Sequence, residues 1–251
     1  MKKILITSII IIQFIYFYGD GITPTKYIAH AGGGINNLAY TNCLEALNLN
    51  YELGHRLFEI DFSWTSDNIL IALHDWQEGY SRLFNESINK PLDYETFINK
   101  KMINDYTVLT LPRISKWLKT HPGAYIITDI KDKNIEGLKY IADNYKNDIS
   151  RYIPQIYFIK EYKEAKNLGF KNIILTLYLN NRSPEKLAEF VDHNKLFAIT
   201  MPLVKKDYKK ILNLMKERNQ FIYVHTYNNK ETVNKILATP VDGVYTDFLH
   251  E

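Results

Sequence analysis

The chain has 251 residues, a length that suits one large domain or two smaller ones. Apolar residues make up 46% of the chain, which is sufficient for a packed core and argues against disorder. The 31 basic and 28 acidic residues nearly balance and form no long basic block, so the charge gives no support for nucleic-acid binding. The single cysteine, Cys43, excludes an intramolecular disulfide and a cysteine-based metal site.

The first 22 residues form a separate N-terminal segment. Lys2 and Lys3 precede a nearly continuous apolar run over residues 4–18, which is typical of a signal peptide. The run is shorter than the roughly 20 residues that a comfortable membrane span needs, but no clear small-residue cleavage pattern follows it. An uncleaved N-terminal anchor is therefore the alternative. We predict a protein that is exported to the periplasm or the extracellular space, or one that this segment holds at a membrane.

Short β-like runs alternate with helix-like runs from residue 26 onward. The pattern predicts strands at residues 26–31, 56–62, 69–73, 124–130, 153–158, 172–178, 196–201, 221–225 and 243–245. It predicts helices at residues 41–53, 112–119, 135–145, 161–168, 184–193, 206–218 and 230–237. Residues 77–105 are polar and irregular, and we predict that they form a loop region.

The order of these runs predicts the fold class. The strands are apolar on both faces, as buried parallel strands are, and repeated β-then-α units imply right-handed crossovers. About eight such units fit, so we predict one (β/α)₈ TIM barrel over residues 23–251, with the loop region over its mouth. An open doubly wound sheet is the alternative. The closed barrel is favoured because the polar residues cluster at strand ends, where barrel active sites lie.

Glu59 and Asp61 are the sharpest local signal for a functional site. Side chains alternate along a strand, so both carboxylates point to one side, and Phe58 and Ile60 point to the other. Two acids on one side of a buried strand repel each other and lose hydration. A hard divalent cation with oxygen ligands would compensate them. The alternative is that the acids cap the strand end by binding backbone or arginine groups.

Asp129 and Lys131 repeat this geometry on a later strand. The two side chains share one face of the strand, so Asp129 is a candidate third ligand for the same ion. Lys131 would then place a positive charge beside an anionic substrate. An ordinary aspartate–lysine pair at the strand end is the alternative.

Three histidines lie at the carboxyl ends of predicted strands. His30 precedes a run of three glycines, which allows the backbone to approach a ligand closely, and His74 lies next to Asp75. His225 ends a late strand, and we predict that it lines the same site. The remaining histidines lie in turn-like, helical or terminal contexts and are predicted to be solvent-exposed: His55, His121, His193 and His250.

These residues, taken in order, resemble the glycerophosphodiester phosphodiesterase family and its wider phospholipase-C-like superfamily. Six segments carry the resemblance: residues 28–32 (IAHAG), 40–46 (YTNCLEA), 59–62 (EIDF), 65–68 (TSDN), 73–75 (LHD) and 241–247 (VDGVYTD). Two positions depart from the family pattern. Ala31 replaces the arginine that follows the first histidine, and Thr41 replaces the glutamate before Asn42.

The resemblance implies a set of roles. His30 and His74 would be the catalytic acid–base pair. Glu59, Asp61 and Asp129 would hold Mg²⁺ or Ca²⁺. From their positions at strand ends, and not from the resemblance, we predict that Lys131 and His225 contact the substrate. The family usually has Glu-x-Lys on the third strand, whereas the Asp-x-Lys here resembles the related sphingomyelinase D group.

The preferred function is therefore metal-dependent hydrolysis of a glycerophosphodiester-like or phospholipid-derived substrate by two-histidine acid–base catalysis. One alternative is a phosphodiester lyase that leaves a cyclic phosphate, as sphingomyelinase D relatives are thought to do. The other is a non-catalytic exported binding protein with a vestigial site, motivated by the missing arginine at Ala31. The expected partner is a small or lipid-derived phosphodiester, with membrane association through the N-terminal segment and no nucleic acid.

Overall fold

A computed structural model describes residues 22–179, 182–203 and 207–250. Within these residues the strands are β1 Tyr27–Ala29, β2 Leu57–Trp64, β3 Leu70–Ala72, β4 Tyr125–Ile130, β5 Tyr152–Ile156, β6 Ile174–Thr176, β7 Ala198–Met201, β8 Ile222–Val224 and β9 Gly243–Thr246. The α-helices are α1 Leu44–Glu52, α2 Glu78–Phe84, α3 Tyr94–Ile98, α4 Leu111–Thr120, α5 Asn134–Asn144, α6 Glu161–Asn167, α7 Pro184–His193, α8 Tyr208–Glu217 and α9 Lys230–Leu237. Short 3₁₀ turns cover His30–Gly32, Ile103–Asp105 and Lys146–Arg151.

The parallel strands close into a barrel. The strand order is β1-β9-β8-β7-β6-β5-β4-β2, and β1 also pairs with β2, which completes the ring. The remaining strand, β3, is antiparallel to β2 and lies outside the ring. The predicted single-domain (β/α)₈ barrel is confirmed, with residues 69–73 forming an extra hairpin strand and not a member of the ring.

Helix ends follow local sequence signals. Thr110, Ser183 and Asn229 precede α4, α7 and α9, and each side-chain oxygen accepts a hydrogen bond from the backbone N–H three residues later. Such caps satisfy N–H groups that have no partner within the helix. The predicted helix at residues 41–53 begins later, at Leu44, because Asn42 has a φ of +46° and Cys43 caps the helix in an extended conformation.

Side chains alternate along β2 between the barrel interior and the helix layer. Phe58 packs edge-on against Trp117 of α4, with their ring centroids 5.3 Å apart, so this face meets the helices. Leu57 faces the other way, into an apolar cluster with Ile127 and Ile153 of the neighbouring strands. This cluster forms the floor of the barrel interior. The next inward positions along β2, Glu59 and Asp61, therefore lie above this apolar floor, towards the carboxyl end of the strands.

The prediction that residues 77–105 are irregular is wrong in part, because α2 and α3 lie within this segment. Trp76, Tyr80 and Phe84 recur at helical spacing and pack together with Phe97 in a second apolar cluster. The tilted or stacked rings of Trp76, Tyr80 and Phe84 bury the inner face of the segment. This four-residue spacing of aromatic residues indicates a helix, but the polar residues around it led to the prediction of a loop.

His55 is buried, and its predicted exposure is wrong. It is 6% exposed, and its Nε2 lies 3.0 Å from the carbonyl oxygen of Leu249. The contact joins the start of β2 to the C-terminal segment, which no local pattern could indicate. Among the residues described, no helix combines the length and the apolar character needed to cross a membrane. The predicted leader lies almost wholly outside the described residues, and its last residue, Ile22, is buried against the barrel floor.

Candidate active site

Three carboxylates converge at the carboxyl ends of two adjacent strands. Asp61 of β2 is the direct register partner of Asp129 of β4, and Glu59 lies two residues earlier on the inward face of β2. Each of the three offers an oxygen that lies within 4.8 Å of the oxygens of the other two. The three acids therefore lie together, as predicted. Parallel strands in register place equivalent positions at the same depth in the barrel.

This cluster fits a cation. Glu59 is 2% exposed, and its Oε1 has no hydrogen-bond partner among the described residues. Burial first, and then the charge of Asp61, raise the pKa of Glu59 well above its usual range. A buried carboxylate with an unsatisfied oxygen beside two other acids is destabilising unless a positive charge is present. The donor set is entirely carboxylate oxygen, which suits Mg²⁺ or Ca²⁺ better than a soft metal.

The other oxygen of Glu59 is held by the segment after β1. The backbone N–H of Ala31 donates to Glu59 Oε2 at 2.8 Å. Gly32 and Gly33 have φ values of +83° and +87°, and a Cβ at Gly33 would overlap the side chain of Asn50. Only glycine avoids both the strain and the overlap at Gly33. The glycines after His30 thus fold the chain back so that the backbone N–H of Ala31 reaches the carboxylate of Glu59.

Lys131 bridges the two paired aspartates. Its Nζ lies 3.1 Å from Asp61 Oδ1 and 3.3 Å from Asp129 Oδ2. Burial opposes the charge of Lys131, but the two carboxylates more than compensate and raise its pKa, so it stays protonated. Burial raises the pKa of Asp129 to about 6, whereas the pKa of Asp61 is lowered because Lys131 and the two nearby histidines outweigh its burial.

Asn42 fixes the orientation of Asp61. Its amide Nδ2 donates to Asp61 Oδ2 at 3.0 Å, and its Oδ1 accepts from the Asp61 N–H at 3.1 Å. Asn42 is 1% exposed and has a φ of +46°, a conformation that asparagine tolerates better than most residues. Asn42 belonged to the segment that carried the family resemblance, but no role was predicted for it.

His30 is oriented by a carboxylate from the opposite end of the chain. Its Nδ1 lies 2.8 Å from Asp247 Oδ1, so this nitrogen carries the donated proton and Nε2 is left for chemistry. Burial would lower the pKa of His30, but the hydrogen bond with Asp247 and the charge of Glu59 raise it to about 9. Asn228 in turn holds Asp247, donating to Oδ2 at 2.6 Å and accepting from the backbone N–H at 2.7 Å.

His74 has the same arrangement with its neighbour in sequence. Its Nδ1 lies 2.6 Å from Asp75 Oδ2, and the other oxygen of Asp75 accepts from the N–H groups of Gln77 and Gly79 at the start of α2. Tyr40 lies between the two histidines. Its ring meets His30 and His74 edge-on, with centroid separations of 4.4 and 5.5 Å. Both imidazoles therefore lie on the same side of the barrel mouth.

A cavity of about 310 Å³ opens at this end of the barrel. All the site residues predicted from the sequence line it: His30, Glu59, Asp61, His74, Asp129, Lys131 and His225. It is also lined by residues for which no role was predicted: Tyr40, Gln155, Tyr157, Thr176, Tyr178, Leu179 and Thr226. Most of these residues follow strand ends, and that position could have indicated that they line the cavity. Their residue types, however, gave no chemical reason to predict a role in the site.

His225 lines the cavity as a neutral ring. Its Nε2 lies 2.8 Å from the hydroxyl of Thr200, and its ring stacks on Tyr245 with centroids 4.3 Å apart. Burial first, and then the charges of His30 and Lys131, lower the pKa of His225 to about 3. A contact with substrate by His225 would thus be an uncharged one, and its role stays a prediction.

The sequence matches a known family over most of its length. Residues 30–251 match the glycerophosphoryl diester phosphodiesterase family. The chain belongs to this family. Its enzyme class is accordingly that of the phosphoric diester hydrolases.

Solved structures of low identity share the fold. A glycerophosphodiester phosphodiesterase from Parabacteroides distasonis is 19% identical, with a TM-score of 0.69, and the match covers 90% of this chain and 94% of that one. The enzyme of the same name from Thermotoga maritima is 18% identical, with a TM-score of 0.70 and coverage of 90% and 95%. An Oleispira antarctica phosphodiesterase, solved with the product sn-glycerol-3-phosphate, is 17% identical, with a TM-score of 0.69 and coverage of 89% and 93%.

Proposed function

We propose that this protein hydrolyses a glycerophosphodiester-like or phospholipid-derived phosphodiester with the aid of Mg²⁺ or Ca²⁺. The observation that carries the proposal is the convergence of two histidines and three carboxylates on one cavity at the barrel mouth. The product bound to the Oleispira antarctica phosphodiesterase, sn-glycerol-3-phosphate, supports a glycerophosphate half for the substrate.

Glu59, Asp61 and Asp129 would hold the cation. When bound, the cation supplies positive charge to a phosphoryl oxygen and so stabilises the charge that develops during displacement. Lys131 adds a second positive group at the cavity wall, and this matters because Ala31 offers no cation where relatives have arginine. The side chain of Lys131 is 52% exposed, so its ammonium can turn from Asp61 and Asp129 to a phosphate oxygen.

His30 and His74 would transfer the protons. In each, a carboxylate accepts from Nδ1 and leaves Nε2 free to act on the substrate. One histidine takes the proton of the attacking hydroxyl, and the other protonates the leaving alkoxide. The hydrogen bond with Asp247 raises the pKa of His30 and so favours its protonated form, which suits the acid, and His74 would then be the base.

A chelation assay tests the proposal. Cleavage of a chromogenic phosphodiester should fall by about 10³-fold in EDTA, because the metal contributes several kcal/mol to the transition state, and Mg²⁺ or Ca²⁺ should restore it. EDTA saturated with the same metal is the control. Activity that survives the metal-free chelator would overturn the metal role. Phosphorus NMR of the product should show a monoester. A cyclic phosphate would instead establish the lyase, which the Asp129-x-Lys131 pattern makes the second candidate.

Substituting Asp247 tests how His30 is oriented. In Asp247→Asn, the amide keeps the shape of the side chain but loses the charge that fixes the Nδ1 proton of His30. We expect kcat to fall at least tenfold with little change in KM. The pKa of His30, followed by NMR, should drop from about 9 towards its usual value. An unchanged pKa and kcat would show that Asp247 serves the fold alone. Asp192→Asn, at an exposed Arg218 pair, is the control.

We further propose that the protein is exported, or attached to a membrane by its first residues. The support is the charged and apolar pattern of residues 2–18, which lie outside the described part of the chain. Mass spectrometry of the protein recovered after secretion should show loss of about the first 20 residues if the leader is cleaved. Full-length protein in the cytosolic fraction would contradict both forms of the proposal.

A further inference from the structure

Large apolar side chains are unevenly distributed on the surface of the described residues. Those more than a third exposed are Leu53, Phe158, Tyr178, Leu179 and Phe248. All except Leu53 come within three residues of the carboxyl end of a barrel strand. Exposed apolar groups gathered at one place usually mark a binding surface. Here they gather around the mouth that holds the candidate active site.

Tyr178 and Leu179 form a wall of the cavity itself. They follow β6, are 50% and 55% exposed, and both line the cavity. The ring of Tyr178 packs on His225 with centroids 4.7 Å apart, and His225 stacks on Tyr245, which is fully buried. An aromatic wall therefore runs from the interior of the barrel up to its rim.

Phe158 does not line the cavity itself, but it stands at the end of the strand next to this wall. It lies two residues beyond the end of β5, the strand that pairs directly with β6, and it is 41% exposed. Neighbouring strands are about 4.8 Å apart, so the two strand ends that lead to these residues span about the width of one extended hydrocarbon chain. Phe248 follows β9 on another side of the barrel, where it packs against Gly34, so it is not part of this patch.

The cavity thus has two unlike sides. His30, His74 and the carboxylates supply the groups that a phosphodiester needs, and a substrate with two small polar alcohols would use that side alone. The wall of Tyr178, Leu179 and Phe158 would then stay exposed to water. Each methylene group that moves from water onto such a wall can strengthen binding by about two- to fourfold.

We propose that Phe158, Tyr178 and Leu179 form a subsite for a single hydrocarbon chain, so that the preferred substrate is a phosphodiester carrying one acyl or alkyl chain. This inference rests on the proposed function, because it assumes that the phosphate lies at the histidines and carboxylates. One chain is favoured over two because the patch covers the ends of only two strands. A chain is favoured over a membrane surface because Tyr178 and Leu179 face into the cavity.

The test uses a series of substrates that differ only in chain length. Glycerophospho-alkyl esters from ethyl to octyl are supplied with the cation at concentrations below those at which they form micelles. We expect kcat/KM to rise about twofold or more per methylene over the first carbons and then to level off. A flat series would overturn the inference. A rise that appears only when micelles or phosphatidylglycerol vesicles are present would also overturn it, in favour of a membrane-binding surface.

Matched variants locate the effect. In Leu179→Ser and in Phe158→Ser, the ratio of kcat/KM for the octyl ester to that for the ethyl ester should fall by about tenfold, because less apolar wall remains. Leu53→Ser, which removes an exposed leucine at the end of α1, should leave this ratio unchanged. A ratio that is the same in wild type, Leu179→Ser and Phe158→Ser would refute the assignment of these residues.

A binding measurement separates this inference from the proposed function. Titration calorimetry with alkyl phosphates from ethyl to octyl requires no turnover, and Kd should fall with chain length in wild type but much less in Leu179→Ser. If no diester is cleaved and Kd still falls with chain length, the proposed function fails and the subsite stands. If diesters are cleaved but neither Kd nor kcat/KM depends on chain length, the proposal of a hydrocarbon subsite fails and the proposed function stands.

Discussion

The substitutions His30→Ala and His74→Ala should each lower kcat for a phosphodiester by about 10²–10⁴-fold, the usual contribution of one general acid or base. The structure gives the reason, since each imidazole lines the cavity and is oriented through Nδ1 by its own aspartate. The measurement is kcat with a chromogenic diester in the presence of Mg²⁺ or Ca²⁺. The two substitutions should also shift opposite limbs of the pH–rate profile.

His55→Ala is the matched control. His55 is as buried as His30 but binds the C-terminal segment and does not line the cavity. We expect it to lower Tm without lowering kcat, whereas His30→Ala and His74→Ala should fold normally, as judged by circular dichroism. Near-normal cleavage by either cavity variant would refute its role as a proton-transfer group.

The second large effect concerns the carboxylate cluster. Glu59→Gln should abolish activity, by about 10³-fold or more, because it removes one charged ligand of the cation. In the wild type, Mg²⁺ or Ca²⁺ at about 100 times its Kd should raise Tm by about 5–10 °C, since binding to the folded state alone stabilises it by about 2.7 kcal/mol. Glu59→Gln should lose most of this increase. Glu164→Gln, at an exposed position on α6, should keep it.

In the metal-free protein, the charge of Glu59 should lower the free energy of unfolding instead of raising it through the bound cation. Because the folded-state pKa of Glu59 lies above its ordinary value, the folded state binds more protons than the unfolded state, and stability falls as pH rises past that ordinary value. Glutamine has no charge to lose, so metal-free Glu59→Gln should be at least as stable as the wild type at pH 7. If the variant is less stable in EDTA and keeps the metal-induced increase in Tm, then Glu59 is a structural residue and not a ligand.

Local sequence patterns predicted much of the barrel. Alternation along β2 correctly separated the helix-facing Phe58 and Ile60 from the inward Glu59 and Asp61. Strand patterns also indicated which residues stand at the carboxyl ends of strands, and all seven predicted site residues line one cavity. The errors, at residues 77–105 and at His55, both concern how a segment packs against other parts of the chain.

What the sequence determined alone is therefore the environment of each strand and the type of chemistry its end can carry, since side-chain periodicity records which face of an element is buried. Which groups meet was decided by closure of the barrel. That closure sets Asp61 beside Asp129, brings Asp247 to His30 across 217 positions, and gathers Phe158, Tyr178 and Leu179 around the mouth. The physical reason is that register and ring closure come from pairing between strands, and no single strand contains that information.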